Sequence, residues 1–255
     1  MPIPHLKTCQ LETAEALLSE LRPSHNQWQP YPNEWIFRGQ WDSNFKLLPT
    51  AYRADSWKPF AEAGSVPFDP LAGYQSEIVQ AQHETSVLVR FYDELDRAGL
   101  PVPNEQAIRK FFGVRSDPEY FAEAEFIPGM ALAQHHGIPT RLLDWTRVGL
   151  HAAYFAAADA AARSNSSGNM AVWALSTAFV DHVVTLDVGN ALPEISPNLR
   201  LVTAPRASNA NLHAQVGLFS IWWHTAFVSP LEDVAYQIQS ALEHTEEPWE
   251  GPSAR

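Results

Sequence analysis

Three stretches of this chain hold side chains able to do chemistry on a polar ligand: Arg38 with Gly39, the run from His135 to Thr146, and Gln215. Arg38 offers five donors in a planar fork suited to a phosphate or a carboxylate, and Gly39 lets backbone approach a ligand closely. The same arginine can instead be a buried staple, with Asp144 the obvious carboxylate partner. His135 and His136 are adjacent and so point in different directions; His136 is the one assigned to a shared site. Asp144 has three roles open to it: helix cap, partner for Arg38 or Arg141, or general base. Trp145 either packs in the interior or flanks a planar ligand. Gln215 does not titrate and cannot be a base, but its amide can orient a ribose hydroxyl or a water. No HExxH or Cys-rich spacing surrounds His135, His136, Asp144 and His151, so no metal is expected.

The elements that must position these groups follow from apolar spacing and from Pro and Gly. A leading amphipathic helix is predicted over 11–21, stopping before Pro23. Trp35-Ile36-Phe37 reads as the first strand, ending at Arg38-Gly39, and Leu47 to Thr50 as a turn or short extended segment. Residues 57–70, rich in Pro, Gly and Ala, read as a loop. Helices are predicted over 74–98, 104–112 and 118–135, the last kinked at Pro128-Gly129. Gly137-Ile138-Pro139 then turns the chain into an extended run at Thr140 to Leu143. Asp144 or Thr146 can accept from a free amide at the start of the next helix. That helix, 148–162, is unusually rich in Ala and carries Leu150, Tyr154 and Phe155, so it is expected to pack closely against a sheet. Further strands are predicted over 171–175, 183–188, 199–203 and 217–223, with a short amphipathic element over 231–242.

This order makes an α+β fold: one domain with a small mixed or antiparallel sheet and a large helical insertion at about 71–134. Residues 1–30 form a helical extension, 31–243 the domain, and 244–255 a flexible tail. The chain has 255 residues with 45% hydrophobic and 11% aromatic content, which is that of a folded globular protein. No apolar run is long enough to span a bilayer, so a cytoplasmic location without membrane partners is expected. The single Cys9 makes no internal disulfide. A net charge of −12 argues against tight nonspecific binding to nucleic acid, which draws on clustered Lys and Arg.

The motifs resemble those of the FRG domain family, which takes its name from a Phe-Arg-Gly motif. The first piece is Phe37-Arg38-Gly39-Gln40, followed by Leu47-Leu48-Pro49-Thr50 and Arg53. The second runs from His135 to Thr146 and on to Ala152, Phe155 and Ala156; the third is Gln215-Val216-Gly217-Leu218-Phe219. Order and spacing agree over residues 34 to 220, and His213 stands where the family commonly has Arg.

More remotely, the arrangement resembles ADP-ribosyltransferases of the Arg-Ser-Glu type. That resemblance implies an enzyme that takes NAD as substrate. Arg38 would bind its pyrophosphate, the Gly39 backbone would pair with the nicotinamide amide, and Thr146 would support the arginine or the ribose. Gln215 takes the place of the catalytic Glu, so either Asp144 supplies the negative charge or the chain binds a nucleotide without turning it over. The family also implies a bacterial toxin or anti-phage defence effector, acting on a protein or nucleic-acid acceptor. Two other classes stay open: a noncatalytic nucleotide-sensing or protein-interaction module, and a hydrolase or nuclease using His136 and Asp144 as acid and base.

Overall fold

The computed structural model describes residues 7–29, 34–62, 77–106, 108, 125–163, 168–178, 180, 199–203, 217–222 and 231–233. It is an α+β protein. Its helices are α1 (Ala14–Glu20), α2 (Ala54–Glu62), α3 (Glu77–Arg97), α4 (Ile127–His135) and α5 (Gly149–Ala161). Its strands are β1 (Trp35–Gln40), β2 (Leu142–Thr146), β3 (Ala171–Ser176), β4 (Leu199–Val202) and β5 (Gly217–Trp222). The chain divides into two compact units, each discontinuous in sequence: 1–47 with 149–197 and 229–255, and 48–148 with 198–228.

In the first unit β1 pairs antiparallel with β3, Phe37 standing opposite Ala174 and Arg38 opposite Trp173. The strand therefore runs on through Arg38-Gly39 to Gln40 instead of ending there, because β3 continues to offer it a ladder. Its core is aromatic: Phe37 and Trp35 meet the Trp28 ring edge-on, and Leu21, Ala152 and Ala153 close round them. Thr13 caps α1 by accepting from the Ala16 amide. Buried Gln40 accepts from the Trp173 indole at 2.7 Å, and the Glu232 carboxylate accepts from the Leu47 amide at 3.0 Å.

Helix α5 packs closely against strand β1, as its alanine content led one to expect, and it does so through the alanines themselves. Ala152, Ala153 and Ala156 turn inward, while Leu150 and Phe155 are exposed and Tyr154 is 68% exposed. The reason is Gly39. A Cβ built there would lie 1.9 Å from the Ala152 carbonyl oxygen, so helix and strand backbones touch directly. Only alanines fit an approach that close, and the large side chains are driven to the other face.

In the second unit β5 pairs antiparallel with both β2 and β4. Leu88 and Tyr92 of α3, Met130 of α4, Leu142, Phe219 and Ile221 share one core. Two proline positions depart from expectation. The segment read as a loop from Trp57 onward begins as α2, with Pro59 inside it. Trp57 is fully buried and donates its indole N–H to the Ala51 carbonyl at 2.8 Å. Removing that much aromatic surface from water is worth about 4–6 kcal/mol, more than the ~3 kcal/mol an interior proline costs. Pro128 does not kink a longer helix. It lies in the first turn of α4, where its missing N–H leaves no bond unmade.

The predicted strand over 183–188, most of the helix over 104–112 and the stretch 118–124 lie outside the described residues, as does the proposed tail.

Candidate functional site

Arg38 and Gly39 belong to the first unit; His136, Asp144, Trp145 and Thr146 belong to the second. Arg38 is half-buried on β1 with its Nε in the interior. Gly39 is accounted for by packing: the space its side chain would fill is taken by α5, so a ligand cannot enter on that face.

The His135–Thr146 segment is a helix end, a turn and a strand in succession. His136 caps α4, and Gly137 follows at φ +82°, a left-handed conformation that glycine adopts without strain. The Gly137 amide donates to the Gln134 carbonyl at 2.9 Å and the Ile138 amide to the Ala133 carbonyl at 3.0 Å. These two bonds make a Schellman ending, and Ile138 packs on the core behind it. His135 and His136 stay exposed, the His136 ring 5.7 Å from Phe91 and 5.4 Å from His135.

Thr140 then joins this turn to the Leu47–Thr50 motif. Its amide donates to Thr50 Oγ1 at 3.1 Å, Thr50 Oγ1 donates back to the Thr140 carbonyl at 3.3 Å, and the Ala51 amide donates to the same carbonyl at 3.0 Å. Arg53 closes the motif from the other end, its Nε donating to the Leu48 carbonyl at 2.8 Å.

Arg141 is fully buried, and so is its partner. The guanidinium meets Glu84 of α3 in a fork, Nε to Oε2 and Nη2 to Oε1, each 3.0 Å. Gln80, one turn earlier, donates to Glu84 at 2.7 Å and to the Ala51 carbonyl at 2.9 Å. The buried carboxylate that Arg141 meets in this fork is therefore Glu84. His83 is buried beside this pair, its ring 6.0 Å from Trp57. Burial pushes the His83 imidazole below its ordinary value, against the smaller pull of Glu84.

Asp144 is the exposed residue of β2, flanked by buried Leu143 and Trp145. The bond expected of a cap is made by Thr146, whose Oγ1 accepts from the Val148 amide at 3.2 Å ahead of α5. Asp144 Oδ1 instead accepts from the Gln134 side-chain amide, and Gln134 Oε1 accepts from the Thr140 hydroxyl. Of the two roles open to Trp145, packing is the one seen: the ring is buried and its indole donates to Ser220 Oγ at 2.9 Å. Gln215 lies outside the described residues. Among the described residues no group of three or more His, Cys, Asp or Glu could hold a metal ion, and no helix is long and apolar enough to cross a membrane.

Glu84, Gln80 and Gln134 carry this arrangement and were not singled out from sequence. A signal existed for the first two. Gln80 and Glu84 are four residues apart on the same stripe of α3 as buried Val87, Leu88 and Leu95, and a polar pair on an apolar face requires a buried partner.

A protein-family model, the FRG domain, matches residues 33–165, just over half of the chain. The chain belongs to the FRG domain family. The match takes in Arg38, the Leu47–Thr50 motif and the whole His135–Thr146 segment, and it ends before Gln215. Comparison with curated proteins and with solved structures returns no match. Much of the FRG signature is thus explained by fold: Gly39 admits α5, Gly137 ends α4, Thr50 and Thr140 clasp each other, and Arg141 pairs with Glu84. Asp144 is different, because an exposed carboxylate in mid-strand does nothing for packing.

Proposed function

We propose that this FRG domain protein is a cytoplasmic ADP-ribosyltransferase-like enzyme that takes NAD as substrate and serves as a bacterial toxin or anti-phage defence effector. The observation that carries the proposal is Asp144: an exposed carboxylate, held by an amide, on a strand whose preceding residue pair is locked into the interior by Arg141. Such an anion can stabilise positive charge developing on a ligand.

The step is loss of nicotinamide. The bond between ribose C1′ and the nicotinamide nitrogen breaks, its electron pair leaves with nicotinamide, and the ribose becomes oxocarbenium-like. An acceptor nucleophile on a protein or nucleic acid, or water, then adds at C1′ and gives up a proton. Asp144 supplies the negative charge; the transferase resemblance gives Arg38 the pyrophosphate and Gln215 the ribose hydroxyls. His136 is the exposed imidazole available for proton transfer.

The test is to incubate purified protein with NAD and cell extract, following free nicotinamide and transfer of label from the adenylate. Release that falls at least about tenfold in both Arg38→Ala and Asp144→Asn is expected, as for loss of transition-state contacts. Undiminished release in either variant would remove that residue from the mechanism. Binding of NAD without any release would instead favour a nucleotide-sensing module.

A further inference from the structure

We propose that Gln134 is a positioning residue that fixes the Asp144 carboxylate, and that the Thr50–Thr140 clasp fixes Gln134 in turn. The inference rests on the role given to Asp144 above. Its basis is a hydrogen-bond count along one chain of groups. Thr140 Oγ1 accepts from the Leu142 amide at 3.3 Å and donates its hydrogen to Gln134 Oε1. The orientation of the Gln134 amide follows from its other neighbour: an ionised Asp144 only accepts, so Nε2 faces Oδ1 and donates to it, and Oε1 is left to take the Thr140 hydrogen. The Thr140 backbone is anchored, its amide donating to Thr50 and its carbonyl accepting from Thr50 and Ala51.

The consequence for Asp144 is specific. One oxygen is committed to Gln134, which limits the rotamers open to the carboxylate. A ligand hydroxyl or a developing cation meets an anion that is already oriented and does not have to be gathered from several rotamers. An exposed Asp without this support would gain nothing in placement from its strand.

The chain of donors also says which substitutions are informative. Gln134→Glu keeps an acceptor for the Thr140 hydroxyl but replaces the donor facing Asp144 with a second carboxylate. Asp144→Ala approaches the pair from its exposed end, where folding is not at risk.

Two measurements test the proposal together. The first is the side-chain NH2 of Gln134 by NMR. In the wild type its two protons should be well separated, one shifted by the carboxylate, and in Asp144→Ala they should collapse toward the values of a free glutamine. Unchanged protons overturn the proposal whether or not the protein is an enzyme. The second is nicotinamide release. Gln134→Glu should lower kcat at least about tenfold, leave KM for NAD within about twofold, and cause no further loss when added to Asp144→Asn. A kcat equal to wild type in Gln134→Glu overturns positioning even if NAD turnover is real. A wild type that releases no nicotinamide overturns the functional reading, and positioning is then decided by the NMR result alone.

Discussion

Arg141 and Glu84, 57 residues apart in sequence, meet in a two-pronged ion pair with neither side chain exposed. Attraction at this depth offsets the cost of removing two charges from water only while both are present. Glu84→Ala should therefore destabilise the fold by about 3–5 kcal/mol, since it strands the guanidinium. The double replacement Arg141→Met with Glu84→Leu should cost far less than either single change. Urea unfolding of Arg141→Met, Glu84→Leu and the double variant measures this directly, and additive losses would show that the pair is not coupled.

Gly39→Ala should be among the most damaging small substitutions in the chain. The new methyl would collide with the Ala152 carbonyl oxygen, which belongs to the helix backbone and cannot rotate away. A loss of about 1–3 kcal/mol or more is expected in thermal unfolding. Ala152→Gly should fail to rescue it, because the clash is not with a side chain. Rescue would point to the side chain as the obstacle.

The pH dependence of stability should carry a signature of His83. Its folded value is lowered by burial, so in the window between that value and the ordinary histidine value of about 6.5 the unfolded chain binds the extra proton. Stability contributed by the neutral imidazole is complete above about 6.5 and is lost as pH falls toward the folded value. Denaturant midpoints at pH 7.5 and 5.5 should differ less in His83→Leu than in the wild type. An equal difference in both proteins would assign the acid sensitivity to other groups.

NAD or ADP-ribose should raise the unfolding temperature. At about 100 times its dissociation constant a ligand adds roughly 2.7 kcal/mol to the stability of the state it binds. Arg38→Ala should abolish the shift, whereas Lys58→Ala, an exposed change on α2, should leave it intact. A shift that survives Arg38→Ala would place phosphate recognition elsewhere.

The strands at 35, 171, 199 and 217 were legible because each is a short β-prone run between turn signals, and α3 because its apolar stripe is long and unbroken. Helix α2 was not, since Pro59 is a local signal and the buried Trp57 that outweighs it is a tertiary one. That α5 packs closely on a sheet was legible from its alanines; which residues it buries was not, because a glycine more than a hundred residues earlier sets that face. At the candidate site, residue types were legible and partners were not. Asp144 stood out in sequence, but its exposure, its bond to Gln134 and the pairing of Arg141 with Glu84 depend on contacts that no local spacing encodes.

The Arg141–Glu84 fork also acts as a registration mark. It fixes the residue immediately ahead of β2 to one turn of α3, and side chains along a strand alternate between faces. Sliding β2 by a single residue against β5 would exchange those faces, sending a carboxylate toward the core and a leucine or tryptophan into water. A slip of that kind would have to pull the buried guanidinium away from Glu84. The ion pair thus keeps Asp144 pointing outward, with one oxygen already committed, before any ligand arrives.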